Sequence, residues 1–297
     1  MNQPLSITPA DLRKDGEGLA AGFPELLAHA RQLAATISLG NHGRRRAGPG
    51  DEFWQYRPAM AGDHLRQIDW RRSARSDQHF VRQMEWQNVQ SVHLWVDGSA
   101  AMGYSSSDKL ETKGARARLL GLATTILLAQ AGESVGLMQD PEPPKHGHGQ
   151  ITKIAVRLAS AVVDAEYGKP PAKHMARGNR ALFISDFLGE WDELVEALSR
   201  AADQKVEGCL VQILDPAEEE FPFDGRTIFH SMNGSLQFET RRAKAIQDDY
   251  LAKLSERKLA LAALAERTGW RYSCHHTSQS AQSILMWIFN ALAGPDR

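Results

Sequence analysis

From residue 91 to the C-terminus, short apolar segments alternate with helix-like ones, and this alternation constrains the fold more than any other feature. Short runs rich in apolar or β-branched residues and bounded by turn or polar residues predict strands. They span 91–97, 134–139, 180–187, 208–215 and 270–277. Helical spacing predicts helices over 151–165, 191–204, 242–268 and 280–293. Such alternation builds βαβ units, so we predict an α/β fold with an open, mostly parallel sheet and helices on both faces.

Three further features complete the predicted organisation. Asp108 and Glu111 predict the start of a helix after the first strand, because their spacing resembles a capping box. The segment "TIFHSMNGSLQFET" predicts an inserted β-hairpin, turning at Asn233-Gly234 and pairing at an edge of the sheet. The predicted division of the chain is a helical segment over 1–40, an Arg/Gly/Trp-rich subdomain over 41–90, and the α/β domain over 91–294.

Composition excludes few functions but sets the compartment. The net charge of −1 gives no general reason for binding nucleic acid or an anionic membrane. No signal peptide or apolar stretch of membrane-spanning length is present, so we predict a cytoplasmic protein with no membrane partner. The two cysteines, Cys209 and Cys274, lie in predicted strands and have no zinc-type spacing, which favours buried free thiols.

Two carboxylates end predicted strands. Asp97 follows the first strand and Asp186 ends the third, accompanied by Ser99 and Ser185. Ligands of open parallel sheets bind outside the carboxyl ends of the strands, so these oxygens are expected to converge on one crevice. Oxygen ligands suit Mg²⁺ or Ca²⁺. The alternative interpretation is that each aspartate caps the turn or helix that follows its strand.

The sequence "DGSAAM…SDF" on this pattern resembles a von Willebrand factor A domain, which implies a Rossmann-like fold. The resemblance implies a metal-ion-dependent adhesion site for Mg²⁺ or Mn²⁺, with Asp97, Ser99, Asp186 and Thr152 as ligands. Ala101 replaces the second serine of that motif and removes one oxygen ligand. A water can fill this gap, since Mg²⁺ retains waters; alternatively, the ammonium of Lys109 takes the place of the cation.

Residues 43–86 form the most distinctive segment, with nine arginines and six acidic residues among several aromatic ones. Arginine interleaved with aromatic residues can bind nucleic acid through phosphates and stacking. Because the acids are distributed through the block, we favour a polar lattice in which arginines pair with acids and lie on aromatic rings. The Arg44-Arg45-Arg46 triplet is the part least neutralised internally.

The same block resembles the signature of the bacterial family called domain of unknown function 58. The matching residues are Gly48, Gly50, Glu52, Phe53, Tyr56, Arg57, Pro58, Gly62, Asp63, Arg66, Ile68, Asp69, Trp70, Ser73, Ala74 and Arg75. The resemblance implies a von Willebrand A-like domain associated with a MoxR-type AAA+ ATPase in a chaperone-like or assembly system. For partner binding it draws attention to Arg57, Asp63, Arg66, Asp69, Trp70 and Arg75.

Three functions follow as hypotheses. We favour a non-catalytic protein-binding module that docks an AAA+ ATPase, because arginine and tryptophan are frequent interface anchors. One alternative is a metal-dependent, phosphatase-like hydrolase that uses Asp97 as nucleophile; it lacks the usual second carboxylate, because Ser99 occupies that position. The other alternative is nucleic-acid binding through the Arg44–Arg82 block, which the neutral overall charge disfavours.

Overall fold

The computed structural model describes residues 25–37, 45–60, 62–75, 78–87, 90–160, 165–234 and 237–293. Contacts divide the chain into two units, one formed by residues 40–89 and the other by residues 1–39 with 90–297. The predicted helical segment over 1–40 is described only in part: helix α1 spans 25–35, and residues 1–24 lie outside the described ranges. In the larger unit, Ala30 and Ala34 of α1 and Ile37, which follows it, pack into the main core.

The larger unit is built on a five-stranded parallel sheet. Its strands are β3 (Ser91–Val96), β4 (Ser134–Leu137), β5 (Arg180–Ser185), β6 (Glu207–Leu214) and β9 (Arg271–His276). They lie in the order β4-β3-β5-β6-β9, and all neighbours are parallel. The predicted parallel α/β sheet is therefore confirmed. The strands are short and mostly apolar because both faces of the sheet are covered.

Helices cover the sheet from both sides. The larger unit contains α3 (Lys113–Gln130), α4 (His148–Ser160), α5 (Trp191–Asp203), α6 (Pro216–Glu220), α7 (Gln247–Thr268) and α8 (Ala281–Ala293). One core joins α1, α3, α4 and α8 to side chains such as Val92, Leu94 and Val96. The other joins α5 and α7 to Trp95 and Phe183. Alternate residues of one strand thus pack into opposite cores, because successive side chains of a strand point to opposite faces of the sheet.

The predicted hairpin forms, but at a different place. Strands β7 (Thr227–His230) and β8 (Gln237–Thr240) pair antiparallel as a two-stranded sheet of their own. The expectation that they extend an edge of the main sheet is wrong for the described residues, because β4 and β9 are the edge strands there. Side chains of the hairpin lie near the carboxyl ends of the strands and form part of the wall of a cavity there.

The smaller unit is a twisted antiparallel pair with a short helix. Strand β1 (Arg45–Pro58) pairs with β2 (Phe80–Gln87), and α2 (Trp70–Ser73) lies between them in the chain. The register shifts between Ala47 and Glu52 and again between Phe53 and Gln55, which indicates β-bulges. Across the described residues of both units, no helix has the length and apolarity that a membrane crossing requires.

A buried carboxylate just before strand β4 leads to a prediction about how stability depends on pH. Glu133 precedes β4 and is 5% exposed. Burial raises its pKa from 4.5 to about 7, opposed by a hydrogen bond from the Gln90 backbone and by the charge of Arg180. A carboxyl whose pKa is raised by folding stabilises the protein below its unfolded pKa, and this contribution is lost as the pH rises through the folded pKa.

We therefore expect Glu133→Gln to raise the free energy of unfolding at pH 8 by about 1–2 kcal/mol and to leave it nearly unchanged near the unfolded pKa. Urea denaturation across this pH range measures the difference. The matched control is Glu266→Gln on α7, an exposed glutamate. A variant curve that runs parallel to the wild-type curve at every pH contradicts the prediction.

Candidate binding site

Three adjacent strands end in buried aspartates at the same edge of the sheet. Asp97 follows β3, Asp186 follows β5 and Asp215 follows β6, with exposures of 2%, 1% and 0%. The chain runs from β3 to β4 on one side and places β5 on the other, so the strand order reverses between β3 and β5. The crevice at such a reversal is the usual ligand site of open α/β sheets. The structure thus brings Asp97 and Asp186 to one place.

Asp97 is held on both oxygens. Its Oδ1 accepts from the Ser99 N–H at 2.8 Å, and its Oδ2 accepts from the Ser185 hydroxyl at 2.6 Å. Burial raises the pKa of Asp97, the hydrogen bonds from Ser185 and Ser99 oppose that rise, and the nearby charge of Asp186 adds to it. This carboxylate therefore organises the turn after β3, as the capping interpretation predicts.

A loop closes over Asp97. The carbonyls of Ala165 and Glu166 accept from the N–H groups of Ala100 and Ala101 at 3.0 and 2.9 Å. Gly168 follows, and a Cβ at that residue would lie 2.1 Å from Asp97 Oδ1. The loop can approach the carboxylate this closely because glycine has no side chain.

We expect Gly168→Ala to lower the free energy of unfolding by about 1–3 kcal/mol, because the new methyl group overlaps a buried, fixed carboxylate. Urea denaturation measures the loss. Gly149→Ala in α4 is the control: apart from the adjacent helix backbone, no described atom lies within 4 Å of a Cβ at that residue. That control should be neutral or stabilising by up to about 1 kcal/mol. Equal stability of the two variants would show that the loop is not held against Asp97.

A lysine ammonium lies between two carboxylates at this edge of the sheet. Lys113 Nζ lies 2.8 Å from Asp186 Oδ2 and 2.7 Å from Glu218 Oε1, and its side chain is 2% exposed. Burial lowers the pKa of Lys113, but the charges and hydrogen bonds of Asp186 and Glu218 outweigh burial and raise it above its ordinary value. Burial raises the pKa of Glu218, and Lys113 opposes that rise. The site thus contains an internal cation.

The side chains present do not fit the Mg²⁺ or Mn²⁺ that the adhesion-site resemblance implies. Asp186 is already paired with Lys113, and Ala101 offers no side-chain oxygen. Thr152 is exposed on α4 and its hydroxyl donates to the His148 carbonyl of the same helix, so no described contact links it to the two aspartates. The Ser99 hydroxyl is buried near Asp97 but makes no hydrogen bond of acceptable geometry. Divalent cations require several oxygens around one point, which this arrangement does not provide.

The sequence interpretation named the wrong lysine because it placed the start of α3 too early. The helix begins at Lys113, and its N-cap is Thr112, whose hydroxyl accepts from the Ala115 N–H at 3.1 Å. Asp108 and Glu111 therefore do not form its start. Lys109 is exposed in the preceding loop. The idea of an ammonium near the strand-end carboxylates is correct, and the residue is Lys113.

Glu218 was also missed, although the sequence signals its position. Asp215, Pro216 and Glu218 begin α6 with a capping box: Ala217 N–H donates to Asp215 Oδ1 at 2.9 Å, and Asp215 N–H donates to Glu218 Oε2 at 2.8 Å. Proline in the first turn and glutamate three residues after the cap are typical of such a start. This cap directs the other Glu218 oxygen toward Lys113.

An open cavity of about 600 Å³ lies against the Lys113 cluster. Its polar lining includes Lys113, Asp186, Glu218 and Glu166. Most of the remaining lining is aromatic or apolar and comes from the hairpin, α7 and the loops of the larger unit. Its aromatic members are Tyr104, Tyr167, Phe221, Phe223, Phe229, Phe238 and Tyr250. A concave, largely apolar site with a few polar groups is typical of ligand-binding pockets.

In the smaller unit, half of the predicted partner-binding residues hold that unit together. Arg57 donates to both oxygens of Asp63, at 2.7 and 2.6 Å, and this pairing lowers the pKa of Asp63 to about 2. Asp69 accepts from the Arg72 N–H at 3.0 Å and so caps α2. The Arg72 guanidinium lies 5.2 Å from the ring centroid of Tyr56. These contacts are those of a polar lattice.

The other half is exposed. Trp70 is 56% exposed and packs edge-on against His79, with 5.5 Å between ring centroids. Arg66 and Arg75 are also exposed. Arg44 lies outside the described residues, as do the side chains of Arg45, Arg46 and Arg82. Among the described residues, Arg66, Trp70 and Arg75 are therefore the predicted partner-binding residues whose side chains are exposed.

A second cluster of ligating residues lies beside the first. One potential ligand atom from each of Glu219, Cys274 and His276 lies within 4.8 Å of the others. Lys258 donates to Glu219, and burial raises the pKa of the Cys274 thiol to about 11. In the described arrangement Glu219 is paired with both Lys258 and His276, so the cluster is an ion-paired, hydrogen-bonded network.

The sheet, its strand-end crevice and its helical cover define an α/β protein with a Rossmann-like parallel sheet. The sequence profile of the family described as "Protein of unknown function DUF58" matches residues 55–259. This match covers more than half of the chain, and the chain belongs to that family. It takes in both the signature block from residue 55 onward and most of the α/β region.

Similar proteins carry names without an assigned activity. The uncharacterized proteins Rv1480 of Mycobacterium tuberculosis and Mb1516 of Mycobacterium bovis are each 27% identical to this chain over 267 residues, covering 83% of the chain and 80% of the relative. The crystal structure of the conserved hypothetical protein BatB from Bacteroides thetaiotaomicron is similar at 15% identity and a TM-score of 0.39, covering 69% of this chain and 98% of that one. An aerotolerance-related membrane protein from Bacteroides fragilis has the same TM-score at 13% identity.

Proposed function

We propose that this protein is a non-catalytic, protein-binding module that docks a MoxR-type AAA+ ATPase without using a bound divalent cation. The observation that carries this proposal is the Lys113 ammonium, paired with Asp186 and Glu218 against an open cavity with aromatic walls. The resemblance to von Willebrand A domains suggests binding at this edge of the sheet. The cytoplasm remains the predicted compartment.

The test is direct binding to the purified MoxR-type ATPase encoded in the same genome, measured by biolayer interferometry. We expect a complex whose affinity is unchanged when the chain is first treated with EDTA, because Lys113 already neutralises Asp186 and Glu218. Failure of any such ATPase to bind, or loss of the complex on chelation of the chain, contradicts the proposal.

Two surface variants localise the contact. Phe238 lies on the hairpin wall of the cavity and is 56% exposed, whereas Leu259 is 70% exposed on α7 and does not line the cavity. Phe238→Ala should weaken binding by at least about tenfold if its ring is an interface anchor. Leu259→Ala removes a similarly exposed apolar side chain and should leave the affinity unchanged.

The exposed residues of the smaller unit form a second proposed contact. Trp70, with Arg66 and Arg75 nearby in sequence, has the chemistry of an interface anchor. Trp70→Ala should weaken ATPase binding by about tenfold or more, whereas Arg57→Ala should act instead through loss of the Asp63 pair and destabilise the unit itself. Circular dichroism of each variant separates the two effects.

The geometry of Asp97 does not favour the phosphatase alternative. Both of its oxygens accept hydrogen bonds, it is 2% exposed, and the Gly168 backbone lies against it. A nucleophilic carboxylate needs an accessible oxygen facing its substrate. We therefore propose no enzymatic activity. Hydrolysis of para-nitrophenyl phosphate that Asp97→Asn abolishes would replace this proposal.

A further inference from the structure

The charge of the cavity lining is the starting observation. Three carboxylates, those of Glu166, Asp186 and Glu218, line the cavity together with one ammonium, that of Lys113. Among the residues that the structure describes, the remaining lining includes His230 but no lysine or arginine. Because three carboxylates stand against one ammonium, which pairs with two of them, the lining keeps a net negative charge.

The Lys113 ammonium is not available to bind a ligand. Its side chain is 2% exposed, and its Nζ is held at hydrogen-bond distance by Asp186 and Glu218. Moving it toward an incoming anion would leave two buried carboxylates unpaired, which is unfavourable. A partner carboxylate would therefore meet a negative field here.

The walls favour a cation with an apolar stem. Tyr104, Tyr167, Phe221 and Tyr250 line the cavity beside the carboxylates. Aromatic faces attract ammonium and guanidinium groups, and lysine and arginine also bury their methylene stems against apolar surface. Burial and then neighbouring carboxylates raise the phenol pKa values of Tyr104 and Tyr167, in agreement with a negative local field.

Glu166, one of these three carboxylates, also holds the hairpin wall in place. Glu166 accepts from the Met232 and Asn233 N–H groups at 2.9 and 2.8 Å, one on each oxygen. These bonds hold the tip of the β7–β8 hairpin against the loop that covers Asp97. A wall tied down at its tip gives the cavity a defined shape before a ligand arrives, which lowers the ordering cost of binding.

We propose that this cavity binds an arginine or lysine side chain presented by a partner protein. The inference deepens the proposed function, on which it rests, by naming the residue type that the docked protein inserts. In this arrangement the cation comes from the partner's side chain and the carboxylates come from this chain.

Four fluorescein-labelled peptides test the charge preference. They share the same neutral flanking residues and differ only at the central position, which is arginine, lysine, leucine or glutamate. Fluorescence polarisation with the full chain should show the arginine or lysine peptide binding at least about tenfold more tightly than the leucine and glutamate peptides. The preference should weaken at high salt. Equal binding of all four, no binding of the basic peptides, or a preference for glutamate overturns the inference.

A matched pair of variants tests the location. Gln237 lines the cavity from β8 and is exposed, so a charge placed there does not disturb the core. Gln237→Lys should weaken binding of the arginine peptide by about threefold to tenfold, and Gln237→Glu should strengthen it, as expected for charges a few ångströms apart near a protein surface. If Gln237→Lys strengthens binding and Gln237→Glu weakens it, or if both variants have the same effect, this cavity is excluded.

The ATPase separates failure of the inference from failure of the proposed function. If the arginine peptide binds and responds to both Gln237 variants while no ATPase binds, the cavity chemistry holds and the partner is wrong. If an ATPase binds but neither the Gln237 variants nor an excess of arginine peptide changes its affinity, the proposed function holds and the inference is overturned.

Discussion

Replacing Lys113 with methionine is expected to lower the free energy of unfolding at pH 7 by about 3–5 kcal/mol, the usual cost of breaking a buried ion pair. The lost ammonium leaves Asp186, 1% exposed, and the largely buried Glu218 without their cation. Urea or guanidinium denaturation measures the loss. Lys109→Met removes an exposed lysine four residues earlier and should change stability by no more than about 0.5 kcal/mol.

The same variant should also change the pH dependence. Burial raises the pKa of Glu218, and without Lys113 no ammonium opposes that rise, so protonation of this carboxyl favours the folded state of the variant. The deficit of the variant should therefore shrink as the pH falls and Glu218 becomes neutral. A deficit of less than about 1 kcal/mol at pH 7, or one that is constant with pH, would show that Lys113 is not the cation of the site.

A gain of metal binding is the second large effect. In the double variant Lys113→Met with Ala101→Ser, the ammonium is removed and a hydroxyl is added at the position that lacks an oxygen. We expect Mn²⁺ to bind this variant at least about a hundredfold more tightly than the wild type, which corresponds to about 2.7 kcal/mol. Loss of the free-ion electron paramagnetic resonance signal measures the bound fraction.

The single variants make this test specific. Ala101→Ser alone should bind Mn²⁺ no better than the wild type, because Lys113 still pairs with Asp186. Tight binding by that single variant would contradict the role given to Lys113. Mn²⁺ should also restore part of the lost stability of the double variant by mass action, and it should leave Lys109→Met unaffected.

The fold was predictable because its signals are local and repeated. Each of β3, β5 and β6 is an apolar run that ends at an aspartate, and burial on both faces makes such runs visible without any long-range information. The position of the hairpin was not predictable in the same way. Asn233-Gly234 specifies a turn, but whether the hairpin joins the main sheet depends on contacts such as those of Glu166, 67 residues before Asn233.

The candidate site was predictable only where chain direction fixes position. Parallel strands place their carboxyl ends together, so the meeting of Asp97 and Asp186 followed from the pattern. Lys113 was missed because Thr112 rather than Asp108 caps α3, and a shift of one helical turn exchanges one lysine for another. The cavity walls come from Phe221 and Tyr250, whose approach depends on how α6 and α7 pack, which no local pattern specifies.

Glu166 links two parts of the larger unit that are distant in sequence. Its backbone carbonyl holds Ala101 beside the crevice, and its side chain holds the Met232 and Asn233 amides at the hairpin tip. A ligand that displaces the hairpin should therefore also disturb the turn after β3. A ligand that stabilises the hairpin should also stabilise that turn. Hydrogen–deuterium exchange at these amides should therefore change when a ligand binds in the cavity, without a fluorescent label on either protein.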